Sequence, residues 1–304
     1  MAQWFITGAN GNLGKQLIRF LLERGSNDQI VAVVRRENAT SSIEQLPLSD
    51  EARSRLKIEV ADYEDVAGMA KIARGCDHAV HLVGILKATK WASYESAHEN
   101  SCAALKSALD EAGVEHVTYM SIVGSSPGSK NACLRSKGKA EELLAEGSFT
   151  TCVLRVPMVL GVGDYASFAL KKRALSRLSF GFRNTSLEQP IFAGDVVHAI
   201  ALAGDNQVGG TLNLAGPECL TRTQLTQRAA SILNHSTTCV SLPMGLGLAM
   251  AGLLETLLSN PPVTRAMLEV LDHDDQVDAD QALKTLNLPK LTELDAMLSR
   301  VLSD

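Results

Sequence analysis

Aromatic side chains are scarce in this sequence, at 4% of its 304 residues, and basic residues do not outnumber acidic ones, since the formal net charge is −5. Proteins that bind nucleic acid without sequence preference use aromatic rings for base stacking and a basic surface for the phosphates. We therefore expect no nucleic-acid partner. The hydrophobic content of 45% instead indicates a soluble globular protein with a large core.

Paired cysteines are also missing, because none of the six cysteines forms a C-x-x-C motif. Their scatter over predicted strands and helices is typical of buried thiols in a cytoplasmic protein. Only three residues precede the first predicted strand, so we expect no signal peptide and a cytoplasmic location. His78 and His81 lie on one predicted strand, where residues three apart point to opposite faces, so we expect no metal site.

Long apolar runs are absent as well. The most apolar stretch, residues 243–254, is shorter than the roughly twenty residues that cross a bilayer. We interpret it as a buried helix of a C-terminal lobe or as the contact face of a homodimer. The alternatives are a hydrophobic gate for a quinone-like ligand, or a surface that docks on a membrane assembly, although the stretch lacks the basic face of a surface-binding helix.

Glycines are arranged in a pattern near the start of the chain. A short apolar run at residues 4–6 predicts a buried strand, and apolar residues at helical spacing from Leu13 predict a helix. Between them lies G-x-x-G-x-x-G, a pattern that gives a tight turn, a close backbone approach to a pyrophosphate, and close packing of the helix on the strand. The helix N-terminus then offers N–H groups to the anion. The cofactor-binding residues predicted in this turn are Gly8, Asn10, Gly11, Asn12, Leu13 and Gly14.

Two arginines follow the second predicted strand, residues 29–34. The end of this strand normally holds the adenosine ribose, with a carboxylate on its 2′-hydroxyl in NAD-binding proteins. Here Arg35 and Arg36 stand there, and a guanidinium suits a 2′-phosphate. The sequence therefore favours NADP(H) over NAD(H). The alternative is that both arginines are solvated at the start of a loop.

Strands and helices alternate through the first half of the chain, which predicts an α/β fold with a doubly wound, parallel Rossmann sheet. We assign residues 1–160 to this dinucleotide-binding domain, which also receives segments around 190–215. Residues 161–304 are predicted to form mainly a smaller C-terminal α/β substrate lobe. Within it, Thr221 and Gln224 predict a capping box at a helix start.

The glycine pattern resembles that of the short-chain dehydrogenase/reductase superfamily in its extended and atypical branches. Diffuse similarity over most of the chain resembles the members related to the 39-kDa accessory subunit of respiratory complex I, and overlaps with NmrA-like regulators and NAD(P)H:quinone reductases. The stretches that carry this similarity are residues 81–84, 93–98, 120–124, 134–137, 154–157, 189–197 and 262–265.

This resemblance implies further site residues. Asp62 matches the aspartate that binds the adenine amino group, and it is also a candidate N-cap for a helix over 63–73. Val83 and Gly84 match the strand end beside the nicotinamide ribose. Lys137 matches the lysine of Tyr-x-x-x-Lys, which binds that ribose and makes Lys137 a candidate catalytic residue too; the alternative is a solvated helix residue.

The catalytic tyrosine of the superfamily is replaced by Cys133, four residues before Lys137. A thiol whose pKa is lowered by a nearby cation is a candidate proton donor, and a packed cysteine is the alternative. The catalytic serine has no clear match, with Ser125 and Ser126 as neighbours of its position.

Two functions remain open. One is an NADP(H)-dependent reductase that acts on a quinone-like or carbonyl substrate without the usual tyrosine. The other is a non-catalytic protein that binds NADP(H) as a structural ligand or redox signal. Either way, we expect a small-molecule ligand, with contact to a membrane surface or an assembly as an open alternative.

Overall fold

The fold was analysed in a computed structural model that describes residues 1–303, apart from the side chain of Leu271; Asp304, the last residue of the predicted C-terminal lobe, lies outside the described residues. The strands are β1 (Gln3–Thr7), β2 (Gln29–Val34), β3 (Leu56–Val60), β4 (His78–His81), β5 (His116–Ile122), β6 (Thr150–Val156), β7 (Val159–Leu160), β8 (Leu178–Phe182), β9 (Leu187–Glu188), β10 (Ile191–Phe192), β11 (Gly210–Asn213), β12 (Leu220–Thr221) and β13 (Thr238–Leu242).

Helices connect most of these strands. They are α1 (Asn12–Glu23), α2 (Ser41–Glu44), α3 (Asp50–Ser54), α4 (Val66–Ala73), α5 (Ser101–Ala112), α6 (Ala132–Ala145), α7 (Tyr165–Ala174), α8 (Ala193–Asp205), α9 (Arg222–Ile232), α10 (Met244–Leu257), α11 (Arg265–Leu271), α12 (Asp280–Leu286) and α13 (Leu294–Leu302). A 3-10 helix spans Glu37–Ala39, and a π-helix, Glu95–Asn100, leads directly into α5.

One parallel sheet organises the fold, with seven strands in the order β11-β6-β5-β4-β1-β2-β3. Its central strands β1, β2, β4 and β5 are buried almost throughout because helices cover both faces. Alternate residues of β1 separate accordingly: Trp4 and Ile6 enter the core shared with α1, α8 and α12, whereas Phe5 enters the core shared with α4, α5 and α6. This arrangement confirms the predicted α/β class with a doubly wound parallel sheet.

The chain reverses its direction of travel across the sheet at β1. It runs outward through β2 to β3, then returns to β4 on the other side of β1 and continues to β5 and β6. In doubly wound sheets the crevice at the carboxyl ends of the strands, at this switch point, is where ligands bind. The fold therefore places the end of β1 and its glycine turn at the edge where a site is expected.

A third core lies beyond residue 160, where α7, α9 and α13 meet around Leu170, Leu225 and Met297. The predicted capping box is present at the start of α9, where Thr221 and Gln224 each bond the other's backbone N–H. The core that contains Trp4 and Ile6, however, also includes residues of α8, β11 and α12, which come from the second half of the chain. The boundary near residue 160 stays a prediction.

Helix α10 departs from its interpretation as a buried helix. It buries its smallest residues, Gly247, Ala251 and Gly252, and exposes Leu253 and Leu257 to 60% and 70%. The buried-helix interpretation is wrong because the glycines, not the leucines, form the inward face.

Candidate dinucleotide-binding site

The turn between β1 and α1 requires its glycines. Gly8 adopts a left-handed φ of +71°, and a Cβ there would lie 3.0 Å from the carbonyl carbon of Leu82. A Cβ on Gly14 would lie 2.7 Å from the carbonyl oxygen of Ala9, so only glycine lets α1 approach β1 this closely. These contacts explain two of the three glycine positions in the pattern.

The first turn of α1 is open to an anion. Its N-cap is Gly11, which has no side chain to bond the helix N–H groups, and no acidic residue lies in the first turn. Unsatisfied N–H groups and the positive end of the helix dipole together favour a phosphate at this place. The cradle therefore fits the diphosphate of a dinucleotide.

A crevice of about 280 Å³ opens beside this turn. It runs from the ends of β2 and β3 to the end of β4, across the switch point of the sheet. The predicted residues that line it are Gly8, Asn10, Gly11, Arg35, Asp62, Val83 and Gly84. Residues from four separate segments of the chain are thus brought together by the strand order alone.

The adenosine side of the crevice contains Arg35 and Asp62. Asp62 accepts a hydrogen bond from the backbone N–H of Glu64, at 3.2 Å, and does not cap a helix. Helix α4 begins three residues later than predicted, where Asp65 accepts the N–H of Gly68 at 3.1 Å. The alternative N-cap role of Asp62 is therefore wrong, and its carboxylate is free to face a ligand.

Tyr63 is a wall residue that the sequence analysis missed. Its hydroxyl accepts a hydrogen bond from the N–H of Gly8, at 3.0 Å, and donates one to the carbonyl of Val33, at 3.1 Å. Burial raises the pKa of this phenol, so it stays a donor. Tyr63 thereby fixes the glycine turn against the end of β2; its position directly after Asp62 was the available signal.

Other predicted residues lie outside the crevice wall. The side-chain amide of Asn12 donates to the carbonyl of Val162, at 3.2 Å, and Leu13 packs against the core shared with α1. Gly14 serves the packing of α1, and Arg36 is exposed at the N-cap of the 3-10 helix. These residues support the turn or its flank.

Lys137 is buried behind the nicotinamide end of the crevice. Its ammonium donates to the carbonyl of Met120, at 2.8 Å, and lies 4.5 Å from the ring centroid of Tyr119. Burial lowers the pKa of Lys137 to about 8. A Cβ at Gly84 would lie 3.1 Å from Nζ, so the lysine stands directly behind the glycine that lines the wall.

Cys133 is also buried, with its thiol 3.7 Å from the carbonyl of Ile85. Burial raises the pKa of this thiol to about 11, although the charge of Lys137 acts in the opposite direction. Loss of solvent thus outweighs the neighbouring cation, which favours the alternative of a packed cysteine.

The serines near the end of β5 are engaged elsewhere. Ser121 bonds the carboxylate of Glu141, which also pairs with Arg155. The hydroxyl of buried Ser125 lies 3.2 Å from that of Ser121, whereas Ser126 is exposed. Neither Ser125 nor Ser126 lines the crevice.

A buried histidine fixes the wall at the end of β4. His98, in the π-helix, accepts the backbone N–H of Ile85 on Nε2, at 3.1 Å, so its proton is assigned to Nδ1, which donates to Ser136 at 2.7 Å. Burial, followed by the charge of Lys137, lowers the pKa of His98 to about 3. His98 is thus a neutral support that the sequence analysis missed, and π-helices are frequent at functional sites.

A second cleft, of about 400 Å³, lies beside segment 85–92. Tyr94 and Thr264 contribute to its walls, together with Glu255 and Leu258 from the end of α10. Lys87 ties the segment to the second half of the chain through bonds to Asn260, at 2.7 Å, and to the carbonyl of Pro261, at 3.0 Å. This cleft offers room for a second small molecule next to the predicted nicotinamide end.

Two other kinds of site are not found in the described part of the chain. No group of three or more histidine, cysteine or acidic residues there could hold a metal ion. His78 packs against Trp4 and His81 against Tyr119, on opposite faces of the sheet as predicted. Among the described helices, none combines the length and apolarity needed to cross a membrane.

The sheet, its switch point and the glycine cradle define a Rossmann-type dinucleotide-binding protein. Residues 8–164 match the family model described as NAD(P)H-binding, so the chain belongs to this family. This match and the relatives below bear out the resemblance to the atypical short-chain dehydrogenase/reductase superfamily.

Curated relatives include mitochondrial subunits of respiratory complex I. The chain is 24% identical over 299 residues to subunit 9 of the NADH dehydrogenase [ubiquinone] 1 alpha subcomplex of Arabidopsis thaliana, an alignment that covers 93% of this chain and 72% of the relative. It is 25% identical over 167 residues to a ceramide reductase of Caulobacter vibrioides, covering 54% of this chain and 49% of that enzyme.

Solved structures with the same fold include sugar-nucleotide epimerases. A nucleoside-diphosphate-sugar epimerase of Staphylococcus aureus superposes with a TM-score of 0.76 at 15% identity, over 98% of this chain and 99% of that one. UDP-glucuronic acid 4-epimerase of Bacillus cereus, in complex with UDP-glucuronic acid and NAD, gives a TM-score of 0.74 at 17% identity, over 99% and 98% of the two chains. These likenesses show the fold.

Proposed function

We propose that the protein is an NADP(H)-dependent reductase that transfers hydride to a quinone-like or carbonyl substrate. The observation that carries the proposal is the crevice at the switch point, with an uncapped helix start in the middle and Arg35 and Asp62 at one end. The N–H groups in the first turn of α1 would hold the diphosphate, Gly8 and Gly11 would let it approach the backbone closely, and Asp62 would bind the adenine amino group.

The preference for NADP(H) rests on Arg35. This arginine directly follows β2 and lines the crevice together with Tyr63. A 2′-phosphate would gain a charge-assisted hydrogen bond there. Glu64 also lines this part of the crevice, so the arginine is needed to make the site attractive to an anion.

The choice of acceptor follows from the proton donors. A bound reduced nicotinamide supplies a hydride, and a simple carbonyl then needs a proton in the same step. Lys137 donates to Met120, Cys133 has a raised pKa, and Ser121 bonds Glu141. An acceptor that becomes a stabilised anion, such as a quinone, can take its proton from water. The cleft beside segment 85–92 is large enough to bind such an acceptor, which supports the proposal.

The second candidate is a non-catalytic protein that binds NADP(H). The inward orientation of Lys137 and the replacement of tyrosine by Cys133 favour it. A tightly bound dinucleotide would then stabilise the fold by mass action. Some of the relatives are complex I subunits, so this alternative also includes contact between the protein and a larger assembly.

The deciding experiment combines calorimetry with an activity screen. We expect NADPH to bind, and NADPH oxidation to occur with soluble quinones but not with aldehydes or ketones. Because Cys133 is expected to have only a packing role, Cys133→Ala should leave the rate unchanged. Tight NADPH binding without oxidation by any acceptor would select the non-catalytic alternative, and absence of binding would reject both.

A further inference from the structure

Helix α10 presents its apolar side chains to solvent. We define the α10 face as Leu246, Met250, Leu253 and Leu257, which lie at positions i, i+4, i+7 and i+11 and are between 48% and 70% exposed. The spacing puts all four on one stripe of the helix. A helix on the surface of a soluble protein normally turns such a stripe toward the core.

The inward side of α10 is built from small residues that have specific contacts. A Cβ on Gly247 would lie 2.9 Å from the ring of Phe182, and one on Gly252 would lie 2.1 Å from the guanidinium of Arg265. Rotating α10 to bury its leucines would therefore press larger side chains against β8 and α11. The exposure of the α10 face is enforced by packing.

Charge is sparse in the chain around this face, and Glu255 is the one charged residue of α10. Residues 236–254, which comprise β13 and most of α10, contain no acidic or basic side chain. Leu178 and Phe180, on the paired strand β8, are 55% and 59% exposed and extend the apolar surface beyond the helix. Exposed apolar patches of this kind mark contact with a membrane or a protein.

Basic residues concentrate in the segments on either side of β8. Residues 165–187 contain five lysines and arginines and no acidic residue, in a chain whose net charge is −5. Arg183 pairs with Asp272 and Asp274, and Arg173 is largely buried. Lys172 and Arg177 are exposed, and no ion pair is found for either among residues 1–303. Arg177 adjoins the exposed Leu178, so free positive charge borders the apolar surface.

The opposite end of α10 adjoins an exposed tryptophan. Lys87 bonds Asn260 and Pro261, just after α10, and so brings segment 85–92 to the end of the helix. In that segment Trp91 is 85% exposed, with the ammonium of Lys90 5.5 Å from its ring centroid. Tryptophan with a neighbouring lysine is typical of the interface between lipid and water.

We propose that the α10 face docks the protein on the surface of a bilayer that contains anionic lipids, with Lys172 and Arg177 against the phosphates and Trp91 at the interface. This inference goes beyond the proposed function and does not depend on it. A second copy of the chain fits less well, because a two-fold contact would present the same elements, and the one acidic side chain of α10, Glu255, already accepts the backbone N–H of Arg265. A lipid headgroup supplies that missing anion.

Vesicle sedimentation of the full chain tests the proposal. We expect binding to phosphatidylcholine vesicles containing a quarter phosphatidylglycerol to be at least tenfold tighter than to phosphatidylcholine alone. Leu253→Glu with Leu257→Glu, or Lys172→Glu with Arg177→Glu, should weaken binding at least tenfold. The matched controls are Val60→Glu, an exposed apolar position on β3, and Lys284→Glu, an exposed lysine on α12; both should bind like the wild type.

The native tryptophans provide a second measurement that needs no destabilising variant. Trp4 is fully buried and Trp91 is exposed, so quenching by brominated lipid should act on Trp91 and disappear in Trp91→Phe. Sedimentation without quenching would place the docking surface elsewhere and overturn the proposal. Failure to bind either vesicle would overturn the proposal too. So would a dimer in solution that the double variant Leu253→Glu with Leu257→Glu dissociates without changing vesicle binding.

Discussion

Arg35 and Arg36 are adjacent in sequence but differ in their surroundings. Arg35 lines the crevice beside Tyr63, whereas Arg36 is exposed at the start of the 3-10 helix. Arg35→Ala is therefore expected to weaken NADPH binding about tenfold, or about 1.4 kcal/mol, and to leave NADH binding nearly unchanged. Calorimetry with both nucleotides measures this, and Arg36→Ala is the matched control, expected to change NADPH affinity less than threefold. Equal loss in both variants would remove the distinction.

The sequence predicted the location of the polar residues in the crevice wall better than the orientation of the side chains buried behind that wall. The glycine turn, Arg35 and Asp62 follow strand ends, and the parallel topology brings strand ends together. Lys137 and Cys133 were identified from the resemblance to the Tyr-x-x-x-Lys motif, but which way they face depends on burial. Their orientation toward Met120 and Ile85 arises from packing between β5, α6 and the π-helix, which spacing alone does not encode.

At the scale of elements, two helical glycines allow a direct test of close packing. A Cβ on Gly14 would meet two backbone oxygens, at 2.7 Å and 2.8 Å, whereas one on Gly245 of α10 would meet nothing within 4 Å. Gly14→Ala should lower the free energy of unfolding by about 2 kcal/mol, because α1 must move away from β1. Gly245→Ala should raise it by about 0.5 kcal/mol through helix propensity. Urea unfolding of both variants measures the pair; an unchanged midpoint for Gly14→Ala would contradict the close approach.

The elements were predicted where hydrophobic pattern and turn residues agree. The second strand was predicted to the residue, at Gln29–Val34, and the predicted capping box of Thr221 and Gln224 begins α9. The π-helix at Glu95–Asn100 leads into α5, and its local sequence pattern does not distinguish it from an α-helix. The outward face of α10 was missed because apolar character alone does not tell which side of a helix meets the core.

For the molecule as a whole, buried histidines make stability depend on acidity. The pKa of His98 falls from 6.5 to about 3 on folding, so below pH 6.5 the unfolded chain binds a proton that the folded protein does not. The neutral His98 imidazole therefore contributes its full share of the unfolding free energy at neutral pH, and this contribution is lost as the pH falls below 6.5. His98→Gln keeps an acceptor for the N–H of Ile85 but removes the titration.

Between pH 7 and pH 5 the wild type should therefore lose about 2 kcal/mol more unfolding free energy than His98→Gln, as measured by urea denaturation at both pH values. The control is His235→Gln, at an exposed position, which should follow the wild type. Parallel losses in the wild type and His98→Gln would show that His98 is already protonated in the folded protein at pH 5.

The sheet core has a bearing on how the protein is made. Its face over α1 is completed by Ala282, Leu286, Leu288 and Leu291, and the third core by Met297 and Val301, so the last residues of the chain finish two separate cores. A nascent chain that has released all seven strands of the large sheet still exposes part of that face. Synthesis from the N-terminus thus leaves the first-made half incomplete until residues 282–291 have been added, and a ribosome stalled before residue 282 would hold a half that is open to chaperones.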